Sequence, residues 1–166
     1  MELLKLAIEW AKSEVFSTRF FIVFAILFLI ASVGFWQLGK TDIAKAYIIP
    51  TLVAGVLLMT IGLGLFFTNK SRVIQFEKAY HANATAFYES EMERTEATLK
   101  EYQNVVFKGI PVIMILASLG ILFLHNPTWR AICITTIAML VVILLVDGTA
   151  HGRIKNYQEK LMQIEK

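Results

Sequence analysis

The chain has 166 residues, 57% of them apolar and 17% charged, with a formal net charge of +3. Soluble domains carry about 45–50% apolar and about 25% charged residues, so this balance, with charges gathered in blocks between uncharged runs, excludes an ordinary soluble fold and indicates a membrane protein. The single Cys133 excludes an intramolecular disulfide and a cysteine-based metal cage, and the small net charge argues against a nucleic-acid partner.

Residues 1–16 read as an amphipathic helix, with Leu4, Ile8, Ala11 and Val15 on one stripe and Glu2, Lys5, Glu9 and Lys12 opposite. The acidic Glu2, Glu9 and Glu14 and the span-length apolar run that follows distinguish this start from a cleaved signal peptide. Crossing about 30 Å of hydrocarbon at about 1.5 Å per residue takes roughly 20 apolar residues. Residues 20–38 and 46–68 meet that length, the second with Thr41 or Asp42 as cap and Pro50 near its start.

Residues 69–108 contain neither glycine nor proline and keep a helical period: Val73, Phe76, Tyr80 and Phe87, then Tyr88, Met92, Thr95, Leu99, Tyr102 and Val106. A helical hairpin is expected there. Its reversal is placed near residues 87–90, because Ser90-Glu91-Met92-Glu93 matches a capping box. Residues 105–125 and 129–150 supply two further spans, joined by a tight turn in which Asn126 precedes Pro127 at a first helical position. Residues 151–166 form a last amphipathic helix with Ile154, Tyr157, Leu161 and Ile164 on its apolar stripe. Small residues mark contact faces within the spans: Thr51, Gly55 and Gly62, then Ala117 and Gly120, then Ala131, Thr135 and Ala138.

Basic residues set the orientation. Thirteen lysines and arginines lie before the first span, between the second and third, and after the fourth; only Lys40, Lys45 and Arg130 lie on the other side. By the positive-inside rule both termini face the cytoplasm, in an inner-membrane setting. Trp36 and Trp129 fall at the opposite boundary, as interfacial aromatics do. The fold class expected is therefore an all-α membrane protein: one domain over 1–166, four transmembrane helices in an up-down bundle, extended into the cytoplasm by the 69–108 hairpin and the C-terminal helix. Residues 1–16 either continue the first span or lie flat on the membrane surface.

The candidate site centres on Asp147, which projects the Ile154 and Leu161 stripe into the interior near the cytoplasmic membrane boundary. A carboxylate there is costly unless paired or hydrated. Extending the other stripes to that level adds Asn69 and Thr18, while His151 follows Asp147 by four residues. Two roles are open. One is a polar layer fixing helix register, in which Asn69, Thr18 or a nearby cation donates to Asp147; the other is an ion or proton site. The Asp147/His151 and Glu77/His81 pairs lie too far apart to converge on a metal and read as solvated surface pairs. At the hairpin, Glu89, Glu91, Glu93, Glu96 and Glu101 form an acidic tip able to meet a cytosolic partner.

No catalytic signature, cofactor motif or metal cluster emerges. The expectation is a non-enzymatic membrane protein working through helix-mediated association, as a small subunit, a scaffold or a self-associating bundle, with the lipid bilayer and a second copy or another membrane protein as partners. The alternative is a small oligomeric transporter or channel using Asp147.

Overall fold

A computed structural model describes residues 1–164; Glu165 and Lys166, the end of the expected 151–166 helix, lie outside the described residues. Among the described residues the chain is all helical, in four long rods. The first is α1 (Glu2–Leu38), a single uninterrupted helix of 37 residues, so residues 1–16 continue the apolar run without a break. The second joins the short α2 (Asp42–Ala46) to α3 (Ile48–Ala82). The third runs α4 (Ala84–Glu101), a π-helical segment (Tyr102–Gly109) and α5 (Ile110–Phe123). The fourth is α6 (Pro127–Ile164). All four rods are long and apolar enough to cross a membrane.

The rod ends follow from local chemistry. Thr41 accepts a hydrogen bond from the Ala44 N–H, and the Asn126 side chain accepts one from Thr128, leaving Pro127 at the first helical position, where its missing N–H costs nothing. The reversal between α3 and α4 falls at Asn83, not at the 87–90 expected from the capping box. Asn83 is extended, with φ −160° and ψ 105°, and its side chain accepts from the Ala86 N–H. Ser90 instead sits inside α4 and returns its hydroxyl proton to the Phe87 carbonyl. An asparagine outcompetes a serine here because no glycine or proline fixes the turn, and either residue satisfies a helix start.

The π-helical segment has a cause two residues past its end. Pro111 has no N–H for the Phe107 carbonyl, and its ring crowds that oxygen. Widening the turn relieves both, and the Ile110 N–H reaches back five residues to Val105.

Successive rods run antiparallel. The α1–α3 pair is in register along its whole length: the Met1 ammonium donates to the Tyr80 hydroxyl at one end, at 2.7 Å, and the Ser32 hydroxyl donates to the Ile48 carbonyl at the other, at 2.8 Å. Between them the backbones close on glycines. A Cβ on Gly62 would lie 2.9 Å from the Phe21 Cβ and 3.2 Å from the Ile22 nitrogen, and one on Gly55 would lie 2.8 Å from Leu29. Helix α6 lies against α1 and α3 and also carries α5, which packs along no other rod.

Two cores result. In the apolar half, Phe21, Ala25, Leu58, Val142 and Val146 close together. In the charged half, Leu3, Ala7, Trp10, Ala11, Phe76, Phe87, Ile154, Tyr157 and Leu161 form a second cluster. The buried face of α1 is thus Leu3, Ala7, Trp10, Ala11 and Glu14, about one residue away from the Leu4, Ile8, Val15 stripe read from sequence. Gly62→Val should cost about 1–3 kcal/mol by forcing α1 off α3. Gly64→Ala, where nothing lies within 4 Å of the added carbon, should leave the thermal midpoint in detergent unchanged. Equal midpoints for the two variants would contradict this interface.

Candidate functional site

The shift in the α1 face places a carboxylate in the interior. Leu3, Ala7, Trp10, Glu14, Ser17 and Phe21 repeat at alternating steps of four and three, so Glu14 occupies a core position and is only 8% exposed. It is satisfied from α6: Arg153 donates through Nε at 2.8 Å and through a terminal nitrogen at 3.4 Å. A second buried carboxylate faces it from α4. Glu91, 3% exposed, accepts two bonds from Arg94, at 2.8 and 2.6 Å, and a third from the Tyr157 hydroxyl at 2.8 Å. The Tyr157 bond ties α4 to α6 as the Glu14–Arg153 pair ties α1 to α6.

Trp10 links the two pairs. Its ring stacks on Tyr157 at 5.3 Å with planes 15° apart, and the Arg94 guanidinium lies 4.3 Å from its centroid. The indole N–H is buried without an acceptor.

Above this network, where the charged half meets the apolar half, lies a cavity of about 560 Å³ lined by all four rods. Helix α1 contributes Trp10, Glu14, Ser17 and Thr18; α3 contributes Leu65, Asn69 and Arg72; α4 and the π-helical segment contribute Arg94, Thr98, Glu101, Tyr102 and Val105; α6 contributes Val146, Asp147 and Ala150. Three of the residues singled out from sequence, Thr18, Asn69 and Asp147, therefore line one cavity.

They do not bond to one another. Thr18 donates to its own helix at the Val15 carbonyl, and Asn69 accepts from the Arg72 guanidinium at 2.7 Å. Asp147, half-buried, takes part in no hydrogen bond or ion pair among the described residues. The expected layer, with Asn69 or Thr18 donating to Asp147, is not formed: the Thr18 proton goes to the Val15 carbonyl, Asn69 turns its oxygen to Arg72, and its amide nitrogen makes no bond to Asp147. His151 lies outside the cavity lining, edge-on to Phe107 at 5.0 Å and to Tyr102 at 5.8 Å.

The electrostatics are uneven. Burial, and then the neighbouring Arg94, pulls Arg72 below its ordinary value, although a guanidinium stays charged at neutral pH. Burial pushes the Tyr102 phenol well up, with the Asp147 and Glu14 carboxylates adding to the effect. Tyr157 is raised likewise, by burial and then by Glu91. Both phenols therefore stay protonated and act as donors.

The residues that sequence reasoning missed are Trp10, Glu14, Arg72 and Arg94. Glu14 made the true α1 stripe look polar, and only its seven-residue relation to Ala7 and Phe21 marked it as interior. The acidic tip is correspondingly smaller than expected. Glu91 is buried, which leaves Glu89, Glu93, Glu96 and Glu101 exposed, Glu96 bonded to Lys100 at 2.8 Å and Glu101 also bordering the cavity. Among the described residues no three His, Cys, Asp or Glu side chains converge as metal ligands. Compared with known proteins, the chain matches no family model, no curated protein and no solved structure.

Asp147 and Glu91 should respond oppositely to loss of charge. Glu91→Leu strands Arg94 and the Tyr157 hydroxyl and should cost about 3 kcal/mol in denaturant unfolding. Asp147→Leu strands no donor and removes a half-buried unpaired carboxylate, so it should be as stable as the parent or more stable. A loss above about 1 kcal/mol for Asp147→Leu would show that its oxygens are hydrogen-bonded after all.

Proposed function

We propose that the chain is an integral membrane protein that binds a ligand in the cavity at its cytoplasmic membrane boundary, without chemistry of its own. The four rods act as a transmembrane up-down bundle, with both termini and the 69–108 hairpin in the cytoplasm. Each rod is about 55–60 Å long, roughly twice the hydrocarbon thickness. Half of each therefore stands below the membrane, the half that carries most of the lysines and arginines. Trp36 and Trp129, 69% and 57% exposed, lie at the opposite end as aromatic anchors.

The observation that carries the reading is the state of Asp147. An unpaired carboxylate on an interior wall is destabilising, and it faces a cavity of a size suited to a small ligand. The apolar cluster of Phe21, Ala25, Leu58, Val142 and Val146 lies on the exterior side of that cavity. An ion or proton site at Asp147 fits the same geometry, with access from the cytoplasmic side in this conformation.

A second reading, helix-mediated association, is favoured by one feature: α5 packs on α6 alone and leaves Val112, Ile115, Leu116, Leu119 and Leu122 exposed along its length. Such a face suits either lipid or another helix.

Accessibility tests the leading reading. In a Cys133→Ser background, Ser17→Cys and Thr98→Cys should react with a membrane-impermeant maleimide in inverted vesicles and stay unreacted in right-side-out ones. Asn126→Cys should show the reverse. Protection of both cavity positions from the cytoplasmic side, or labelling of Asn126→Cys there, would contradict the proposal.

A further inference from the structure

Beyond its two ion pairs, the cavity is lined by Arg72, Asp147 and Glu101, none of which forms an ion pair among the described residues. Glu14 is matched by Arg153, and Glu91 by Arg94. Arg72 hydrogen-bonds only to a neutral amide, Asn69, lies 5.8 Å from the Trp10 ring and stands near Glu91 and Glu14 without pairing with either, while the Asp147 side chain has no partner among the described residues. The two line the same space yet form no ion pair with each other. Arg72 stands beside a second guanidinium, Arg94, while Asp147 stands beside a second carboxylate, Glu14. One part of the cavity is therefore suited to an anion with several acceptor oxygens, and another to an ammonium group.

The cavity reaches the surface on one side through exposed lining residues. Helix α3 packs along α1 and α6 and touches α4, but it does not pack along α5. Where the two rods diverge, the lining residues are Leu65 on α3 and Val105 on the π-helical segment, 39% and 62% exposed. Leu65 lies near the end of the apolar run 46–68 and Val105 at the start of 105–125, so this apolar lip is at the depth where hydrocarbon gives way to headgroups.

We propose, resting on the ligand-binding reading above, that the cavity receives the zwitterionic phosphoethanolamine group of a membrane lipid through the opening between Leu65 and Val105. The phosphate meets Arg72, with the Glu91-paired Arg94 adding positive charge beside it, the primary ammonium meets Asp147, and the acyl chains remain in the bilayer. A purely anionic headgroup would leave Asp147 unpaired and be repelled by it. A trimethylated ammonium has no N–H to donate to the carboxylate and needs more room.

Native mass spectrometry of the full chain in mild detergent, titrated with defined lipids, tests this. Phosphatidylethanolamine should bind one per chain and at least tenfold tighter than phosphatidylglycerol or phosphatidylcholine. Asp147→Asn, which loses no internal bond, should lower that binding at least tenfold, and Arg72→Gln should do the same. Glu77→Gln, on an exposed face, should leave it unchanged. If Arg72→Gln does not elute as a folded species, Asp147→Asn decides alone. Equal binding of phosphatidylglycerol, or full retention of phosphatidylethanolamine by Asp147→Asn, would overturn the inference. Water-soluble glycerophosphoethanolamine binding as tightly as the lipid would also overturn it, assigning the same chemistry to a soluble ligand. In each case a cavity that labels from the cytoplasm would leave the broader reading standing, whereas an unlabelled cavity removes both.

Discussion

A single buried carboxylate constrains the charged half of this molecule. Glu14 falls at a core position of α1, and a carboxylate there is tolerable only if it is both paired and hydrogen-bonded. Arg153 meets that need only because α6 continues past the apolar run, antiparallel to α1, for enough turns to bring its side chain level with Glu14. The same extension carries Tyr157 to Trp10 and to Glu91, which draws in α4. Three rods are thus held in one register by polar contacts whose alternatives leave a buried charge unmatched. Hydrophobic burial supplies the general driving force in this half, but leucines tolerate slippage that a carboxylate does not.

The apolar half works differently. In the proposed membrane setting, lipid is as apolar as a leucine, so burial gives no advantage there, and close packing of small residues holds α1 to α3. Gly55 and Gly62 let the backbones approach, and Ala25 and Ala54 are fully or nearly fully buried between the helices. Helix α5 lacks an equivalent seam with α3, and the π-helical segment ahead of Pro111 redirects it onto α6. The cavity lies where these regimes meet. Above it the helices close on apolar side chains, below it they close on ion pairs, and Arg72 and Asp147 belong to neither arrangement.

Much of this was legible in the residues. Span lengths, the Asn126-Pro127 start and the helical period through 69–108 come directly from repeat and composition, because those features depend on local geometry. Asp147, Asn69 and Thr18 could be brought to one level because rise per residue is fixed. Their bonding could not, since it depends on side-chain rotamers: Asn69 turns its oxygen to Arg72 three residues on, and Thr18 gives its proton to the Val15 carbonyl. Glu14 and Glu91 escaped notice for a related reason. A carboxylate among apolar neighbours reads as the polar face of a helix unless its partner is known, and the partners lie 139 residues away for Glu14 and, for the Tyr157 hydroxyl, 66 residues away. The reversal at Asn83 rather than near Ser90 was missed because both residue types cap helices equally well.

The most direct measurement is a double-mutant cycle on Glu14→Gln and Arg153→Gln, read as unfolding free energy in detergent. If the pair fixes the register of the charged half, each single change costs about 2–3 kcal/mol, and the double costs little more than either alone, a coupling of about 2 kcal/mol. Additive losses, with no coupling between the two sites, would contradict the account.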